Sequence, residues 1–298
     1  MIPACKLCPR RCGVPRGDTG AGACKSEETA RVARAALHFW EEPPISGSRG
    51  SGAVFFTGCP LGCVFCQNYE ISAGENQGRA FSPQGLSELF FSLVEQGAHN
   101  INLVTPTHFL PQVRQALLVK KLPVPVVYNT SGYERPESLK TLEGLVDIYL
   151  PDYKYAQPDL AAALSRAPDY PETALAAIAE MVRQTGAPQY DGEGMMTRGV
   201  LIRHLILPGH TKNSMAALRA IAGRFPGIPV SLMAQYTPWG LAAREGGVPG
   251  YPELSRPITG RELNKVQEEL FALGLDGFVQ SRKARGDRFI PDFHQFDA

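Results

Sequence analysis

Seven short runs of β-branched and other apolar residues alternate with segments of helical period from residue 53 onward. This alternation constrains the fold more than any other feature. The apolar runs are 53–57, 101–105, 124–129, 146–150, 199–207, 230–236 and, weakly, 277–280. Between them, 83–97, 111–121, 136–145, 171–186, 214–225 and 259–274 carry helical spacing, several opening on Pro and closing on Gly or a basic residue. Strands that alternate with helices predict βαβ units, a parallel sheet and right-handed crossovers. Continuous apolar strands such as VPVVY predict burial on both faces. The expected fold class is α/β, a partial (β/α)6 TIM-like barrel, with a doubly wound open sheet as the alternative. In either, functional groups belong at the carboxyl ends of the strands.

Residues 31–52 read as a short amphipathic piece followed by a Pro/Gly/Ser loop, within a barrel domain spanning 31–280. Residues 1–30 form a Cys-rich metal-binding segment too small for a core of its own, and 281–298 a tail that mixes charges with aromatics. That tail is either a strap or a cover for the barrel mouth. A net charge of +1 gives no support for nucleic acid or a membrane surface as partner. No apolar run of membrane-spanning length and no signal-peptide core stands out, so a cytoplasmic location is expected.

The seven cysteines fall in two tight clusters, a pattern of metal binding rather than of disulfides. The second cluster, GCPLGCVFC, places Cys59, Cys63 and Cys66 directly after the first predicted strand. Three thiolates can hold three irons of a cubane cluster and leave the fourth iron open, whereas structural zinc is closed by four ligands. His38 and His99 are candidate fourth ligands only if the fold brings them close. Gly58 and Gly62 allow close backbone approach in this loop.

The Cys-x3-Cys-x2-Cys spacing, with Phe65 before the last cysteine, resembles the radical S-adenosylmethionine (radical SAM) superfamily. Chain order is similar to the glycyl-radical-enzyme activases, most closely a pyruvate formate-lyase activating enzyme-like subfamily. The resemblance implies a 4Fe-4S cluster on Cys59, Cys63 and Cys66, S-adenosyl-L-methionine chelated to the unique iron, and reductive cleavage to a 5′-deoxyadenosyl radical. It places Phe65 near the adenine. After the second strand, Thr105, Pro106, Thr107 and His108 stand where activases carry Gly-Gly-Glu facing the cofactor's amino group; a turn with a capping Thr reads equally well. Asn129, Thr130 and Ser131 match a stretch near ribose or substrate, with Gly132 admitting a ligand to the backbone. Asp152 and Lys154 match an Asp-x-Lys motif facing the cofactor, and i and i+2 at a strand end share a side. Arg203 matches an activase arginine and is expected to bind an anion, the cofactor carboxylate; His204 faces the other way, and His210 lies in the following loop. Gln235 and Tyr236 occupy the positions of an adenine-contacting Pro-Tyr-His.

At the amino terminus, Cys5, Cys8, Cys12 and Cys24 supply four thiolates for zinc or a second iron–sulfur cluster, with Arg10, Arg11 and Arg16 offsetting their charge. The resemblance implies hydrogen abstraction from a protein or peptide substrate, such as a glycyl-radical enzyme, with flavodoxin or ferredoxin as reductant. Two alternatives stand beside it: radical modification of a small molecule or side chain, and a Cys-rich zinc-binding interaction module.

Overall fold

The computed structural model describes residues 5–17, 22–73, 78–280 and 293. The expectation for the tail 281–298 lies outside the described residues except at Phe293. Strands β1 (Ala30–His38), β2 (Ser51–Phe56), β3 (Ile101–Val104), β4 (Val126–Thr130) and β5 (Ile148–Pro151) pair in that order. A second sheet sets β7 (Val230–Met233) between β6 (Ile202–Leu205) and β8 (Gly277–Gln280). A parallel bridge from Asp152 to Arg203 joins the two sheets. Strands β2 to β8 pair in parallel, in registers such as Gly52↔Ile101, Val127↔Ile148 and Val230↔Ile202, while the short strands Arg79–Phe81 and Gln189–Tyr190 add antiparallel pairings at the sheet edges. The result is an α/β partial barrel of six βα units followed by a seventh parallel strand.

Helices α1 (Pro83–Glu95), α2 (Leu110–Val119), α3 (Pro158–Ser165), α4 (Tyr170–Thr185), α5 (Thr211–Arg224) and α6 (Gly260–Ala272) cover the outer face. Boundary chemistry is local. Ser82 caps α1 by accepting from Gly85 N at 3.1 Å, and Thr259 and Glu262 form a reciprocal capping box on α6. The large core cluster lies between strands and helices. It takes the outward residues Val54, Phe56, Leu103 and Tyr128 together with helix residues such as Phe90, Val113 and Ile178.

Three sequence expectations are corrected. Residues 30–38 form a nine-residue strand antiparallel to β2, where a short amphipathic piece was expected. Ala-rich sequence favours helix only weakly, and pairing with β2 overrides it. The helix expected over 136–145 is one turn, Pro136–Leu139, tightening into a 3-10 turn at Lys140–Leu142 and ending before Gly144, whose φ is +78°. The strand expected at 199–207 starts earlier, as Met196–Val200, and resumes after Leu201 as β6. Helix α3 was not read from the sequence at all.

The connection between β1 and β2 enters the barrel. Ile45, fully buried, packs on Val127, Ile148 and Leu201 and fills the lower interior, while Asn100 Nδ2 donates to Ile45 O at 2.7 Å. The chain just before it, Glu41 and Glu42, is thereby carried inside as well.

Candidate functional site

The carboxyl ends of the parallel strands open into a cavity of about 430 Å³, within the size range of small-molecule sites. Cys59, Cys63 and Cys66 line one wall, in the loop that follows β2. Gly58 and Gly62 in that loop take φ of +79° and +65°, conformations that favour glycine. Cys63 Sγ accepts a hydrogen bond from Ser165 Oγ at 3.1 Å, and Ser165 in turn meets Tyr155 Oη at 2.7 Å. Burial pushes the Cys59 thiol up to about 12, and the neighbouring Cys66 and Cys63 add to the effect; burial and Cys63 also raise Cys66. Thiols forced together this way favour a cation that would convert them to thiolates.

The strand ends bring the polar set to the same cavity. Asp152 follows β5 and accepts from Lys154 Nζ at 2.5 Å and from Arg203 Nε at 3.0 Å. Burial alone would raise the Asp152 carboxyl, but the Arg203 and Lys154 charges hold it below its ordinary range. Burial would likewise lower the Lys154 amine, yet Asp152 and then Cys63 keep it above the usual lysine range. Arg203 NH2 donates to Asn129 Oδ1 at 2.5 Å and NH1 to Glu41 Oε2 at 3.2 Å. Asp152, Glu41 and Asn129 thus hold the guanidinium that was expected to bind the cofactor carboxylate. Asn129 Nδ2 and Asn102 Nδ2 both donate to Glu41 Oε1, at 3.1 and 3.0 Å.

Thr105, Ser131 and Gln235 also line the cavity. Ser131 Oγ and Gln235 Oε1 are buried with no hydrogen-bond partner among the described residues. Thr105 holds φ of +58°, a strained conformation for a β-branched residue, with its N–H on Asn129 O at 2.8 Å. Its neighbours turn away. Thr107 Oγ1 donates to Glu134 at 2.5 Å, and His108 Nε2 meets Thr57 O at 2.6 Å. Phe65 and Tyr236 present apolar ring surface to the cavity, their centroids 6.0 Å apart, and the Tyr236 hydroxyl donates to Leu254 O at 2.7 Å.

Some expectations do not meet here. His38 lines the cavity, whereas His99 precedes β3 at the opposite end of the barrel, beside Arg49. Gly132 gives room to the Asp152 backbone and Gly58 to Cys24 and Ser26. His204 is fully buried, with Nδ1 at 2.6 Å from Tyr153 O, and His210 Nε2 sits 2.8 Å from Glu253. Arg10 and Arg16 donate to carbonyls of the barrel, such as Pro60 O and His108 O, while the Arg16 charge still acts on Cys5, drawing its thiol down against the larger effect of burial.

Glu41, Glu42, Ser165 and Glu134 were missed. Glu42 is 1% exposed, and neither carboxylate oxygen has a hydrogen-bond partner among the described residues; burial raises it. Glu134 is fully buried and accepts from Thr107, Thr130 and Tyr128; burial pushes it up to about 7. The run of two glutamates in HFWEEPP was the available signal for the first pair. Ser165 and Glu134 carry none: only the fold brings Ser165 to the cysteine loop, and Glu134, itself off the cavity lining, to Thr107, Thr130 and Tyr128.

Among the described residues, the amino-terminal Cys5, Cys8, Cys12 and Cys24 included, no three His, Cys, Asp or Glu side chains converge on one ion-sized point, as a single zinc ion would need. A cubane cluster does not require that, since each thiolate binds a different iron. The donor set therefore fits a three-thiolate cluster. Glu41 and Asp152 balance Arg203 and Lys154 in the cavity wall, and their carboxylates can meet the ammonium group of a ligand. The orphaned Ser131 and Gln235 oxygens and the Phe65–Tyr236 surface fit a polar nucleoside. At the amino terminus Cys8 and Cys24 are buried, Cys5 is half-buried and Cys12 exposed. Burial raises the Cys5 thiol and pushes Cys8 up to about 12; it would raise Cys12 too, but backbone N–H groups of Val14 and Ala23 bring that thiol below its ordinary value.

A family model described as the radical SAM superfamily matches residues 53–221. An uncharacterized protein of Methanocaldococcus jannaschii is 28% identical over 281 residues, covering 91% of this chain and 75% of that one. The crystal structure of methylornithine synthase aligns with 72% of this chain at a TM-score of 0.46 and 14% identity; the chain spans 59% of that structure. No helix among the described residues is long and apolar enough to cross a membrane.

Proposed function

We propose, on the premise that this chain belongs to the radical SAM superfamily, that it abstracts hydrogen from a protein or peptide substrate in the manner of a glycyl-radical activase. When bound, a 4Fe-4S cluster with S-adenosylmethionine supplies the reductive cleavage and the radical. Cys59, Cys63 and Cys66 would hold the cluster, and the chain's other residues bind, orient and shield. The observation that carries the reading is the convergence of three thiols and the Asp152–Lys154–Arg203 ion-pair network on one cavity.

Lys154, between Asp152 and Cys63, is the cation available to a carboxylate beside the cluster loop. Glu41 and Asp152 hold Arg203 in place and would meet an ammonium group. Ser131 and Gln235 offer unpaired oxygens to ribose or base, and Phe65 with Tyr236 excludes water from one side. Phe39 and Trp40, 47% and 53% exposed, flank the cavity mouth, and exposed aromatics at a site's lip favour an apolar peptide segment. Cys5, Cys8, Cys12 and Cys24 would take zinc or a second iron–sulfur cluster.

Anaerobic incubation with reductant, S-adenosylmethionine and a co-purifying partner tests the reading. The expected result is 5′-deoxyadenosine, absent with Cys63→Ala, together with a glycyl radical on the partner by electron paramagnetic resonance. Cleavage with no radical on any partner would reject the activase role in favour of small-molecule or side-chain modification. A colourless, zinc-only protein would reject the enzyme.

A further inference from the structure

The amino-terminal cysteine segment sits on the cluster loop itself. Residues 5–14 form a tight knuckle, closed by Cys5 N to Val14 O at 3.0 Å, Gly13 N to Cys5 O at 3.1 Å and Arg11 N to Cys8 O at 3.1 Å. Arg10 stands at its tip, two residues from both Cys8 and Cys12. Its guanidinium spans the gap to the barrel. Nε donates to Pro60 O at 2.9 Å, NH2 to Leu61 O at 3.1 Å and to Ser165 O at 2.6 Å, and NH1 to Arg166 O. The guanidinium carbon lies 5.2 Å from the centre of the Tyr133 ring.

These acceptors are not a random patch of surface. Pro60 and Leu61 lie between Cys59 and Cys63, and Ser165 is the residue whose hydroxyl bonds Cys63 Sγ. The other flank of the loop is held too. Gly58, just before Cys59, is packed so closely that an added Cβ would stand 2.5 Å from Cys24 O. One side chain between two amino-terminal cysteines thus fixes the loop and the hydrogen-bond donor of its middle cysteine. The carbonyl of a third amino-terminal cysteine backs the loop's start.

We infer that Arg10 is a positioning residue for the three-thiolate loop, and that metal binding at Cys5, Cys8, Cys12 and Cys24 sets the geometry of the radical cluster through it. This rests on the cluster reading above. The physical reason is the rigid planar fork of arginine, which reaches several carbonyls at once where lysine reaches fewer. Cys8 and Cys12 would, on holding a metal, fix the backbone that presents this fork, and hydrogen-bonded outer partners tune a cluster's affinity and potential.

The test uses the full chain, anaerobically reconstituted, with two readouts besides turnover. One is the rate at which chelator bleaches the cluster absorbance; the other is the resonance line shape of the reduced cluster. Arg10→Gln is expected to bleach about tenfold faster than wild type, the lower end of losses from outer-shell changes, with an altered line shape. Arg10→Lys should fall between the two, and it serves if the glutamine variant does not fold. Cys12→Ser should reproduce the Arg10→Gln spectrum, and the double variant should add nothing further. Ser138→Ala is the control. It removes the 2.6 Å hydrogen bond to Leu7 O, a contact between the same segment and the barrel away from the loop, and should leave the cluster unchanged. Wild-type behaviour of Arg10→Gln or Arg10→Lys, an equal effect from Ser138→Ala, or additivity with Cys12→Ser would each overturn the inference. A wild-type protein without cluster absorbance would instead overturn the underlying reading.

Discussion

Asp152 and Arg203 form both the backbone bridge that joins the two sheets and, through Oδ1 and Nε at 3.0 Å, an ion pair inside the cavity. The seam of the barrel and the floor of the candidate site are therefore one structure. Tyr153 N to Arg203 O at 2.8 Å continues the seam. Asp152→Ala leaves Arg203 and Lys154 buried with less negative charge between them. The expected cost is about 3 kcal/mol in denaturant unfolding, typical of breaking a buried pair by removing one partner. Asp152 is held below its ordinary range, so the stability it contributes is present above the unfolded carboxyl value. It is lost as pH falls through the folded one. Unchanged stability at neutral pH would show that the pair contributes nothing net.

Glu134 should act with the opposite sign. Its folded value near 7 lies above that of an exposed glutamate, so the native state holds the proton more tightly than the unfolded chain. The fold is favoured below the unfolded value and loses roughly 3 kcal/mol as pH rises through 7. Glu134→Gln should flatten that part of the stability profile. A profile of the same slope in the variant would assign the pH dependence elsewhere.

Ser165 donates to Cys63 Sγ, and hydrogen bonds to cluster sulfurs stabilise the more negative, reduced state. Ser165→Ala should shift the cluster midpoint potential to more negative values with the cluster content unchanged. A potential equal to wild type would mean that the bond does not tune the cluster.

Thr105 stores strain at φ of +58° beside the cavity. Thr105→Gly should relieve it and raise unfolding stability by about 1 kcal/mol, while weakening S-adenosylmethionine binding measured by equilibrium dialysis. Lower stability in the glycine variant would show that the Thr105 side chain is held for packing rather than for the site.

The parts of this molecule carried by local sequence could be read directly. Alternating strands and helices set the βα units, and the cysteine spacing after β2 set the candidate cluster loop. Asp152 and Lys154 were legible because a strand end fixes the side on which i and i+2 stand. What stayed hidden depends on contacts distant along the chain. Glu41 matters only because Ile45 anchors its loop inside the barrel, and Ser165 only because α3 ends against the cysteine loop. Arg203 was read as binding an anion, and the sequence could not show that Asp152, Glu41 and Asn129 engage it. Gly58 and Gly132 were legible as glycines needing room, but the neighbours that fill that room belong to other segments.

The central claim is that Cys59, Cys63 and Cys66 hold a cluster with one iron open to S-adenosylmethionine. Resonance spectra of the reduced, anaerobically reconstituted protein, with and without S-adenosylmethionine, test it most directly. The account predicts a reduced-cluster signal that changes on addition of S-adenosylmethionine and disappears in Cys63→Ala. A signal that ignores S-adenosylmethionine, or one that survives unchanged in Cys63→Ala, would contradict it.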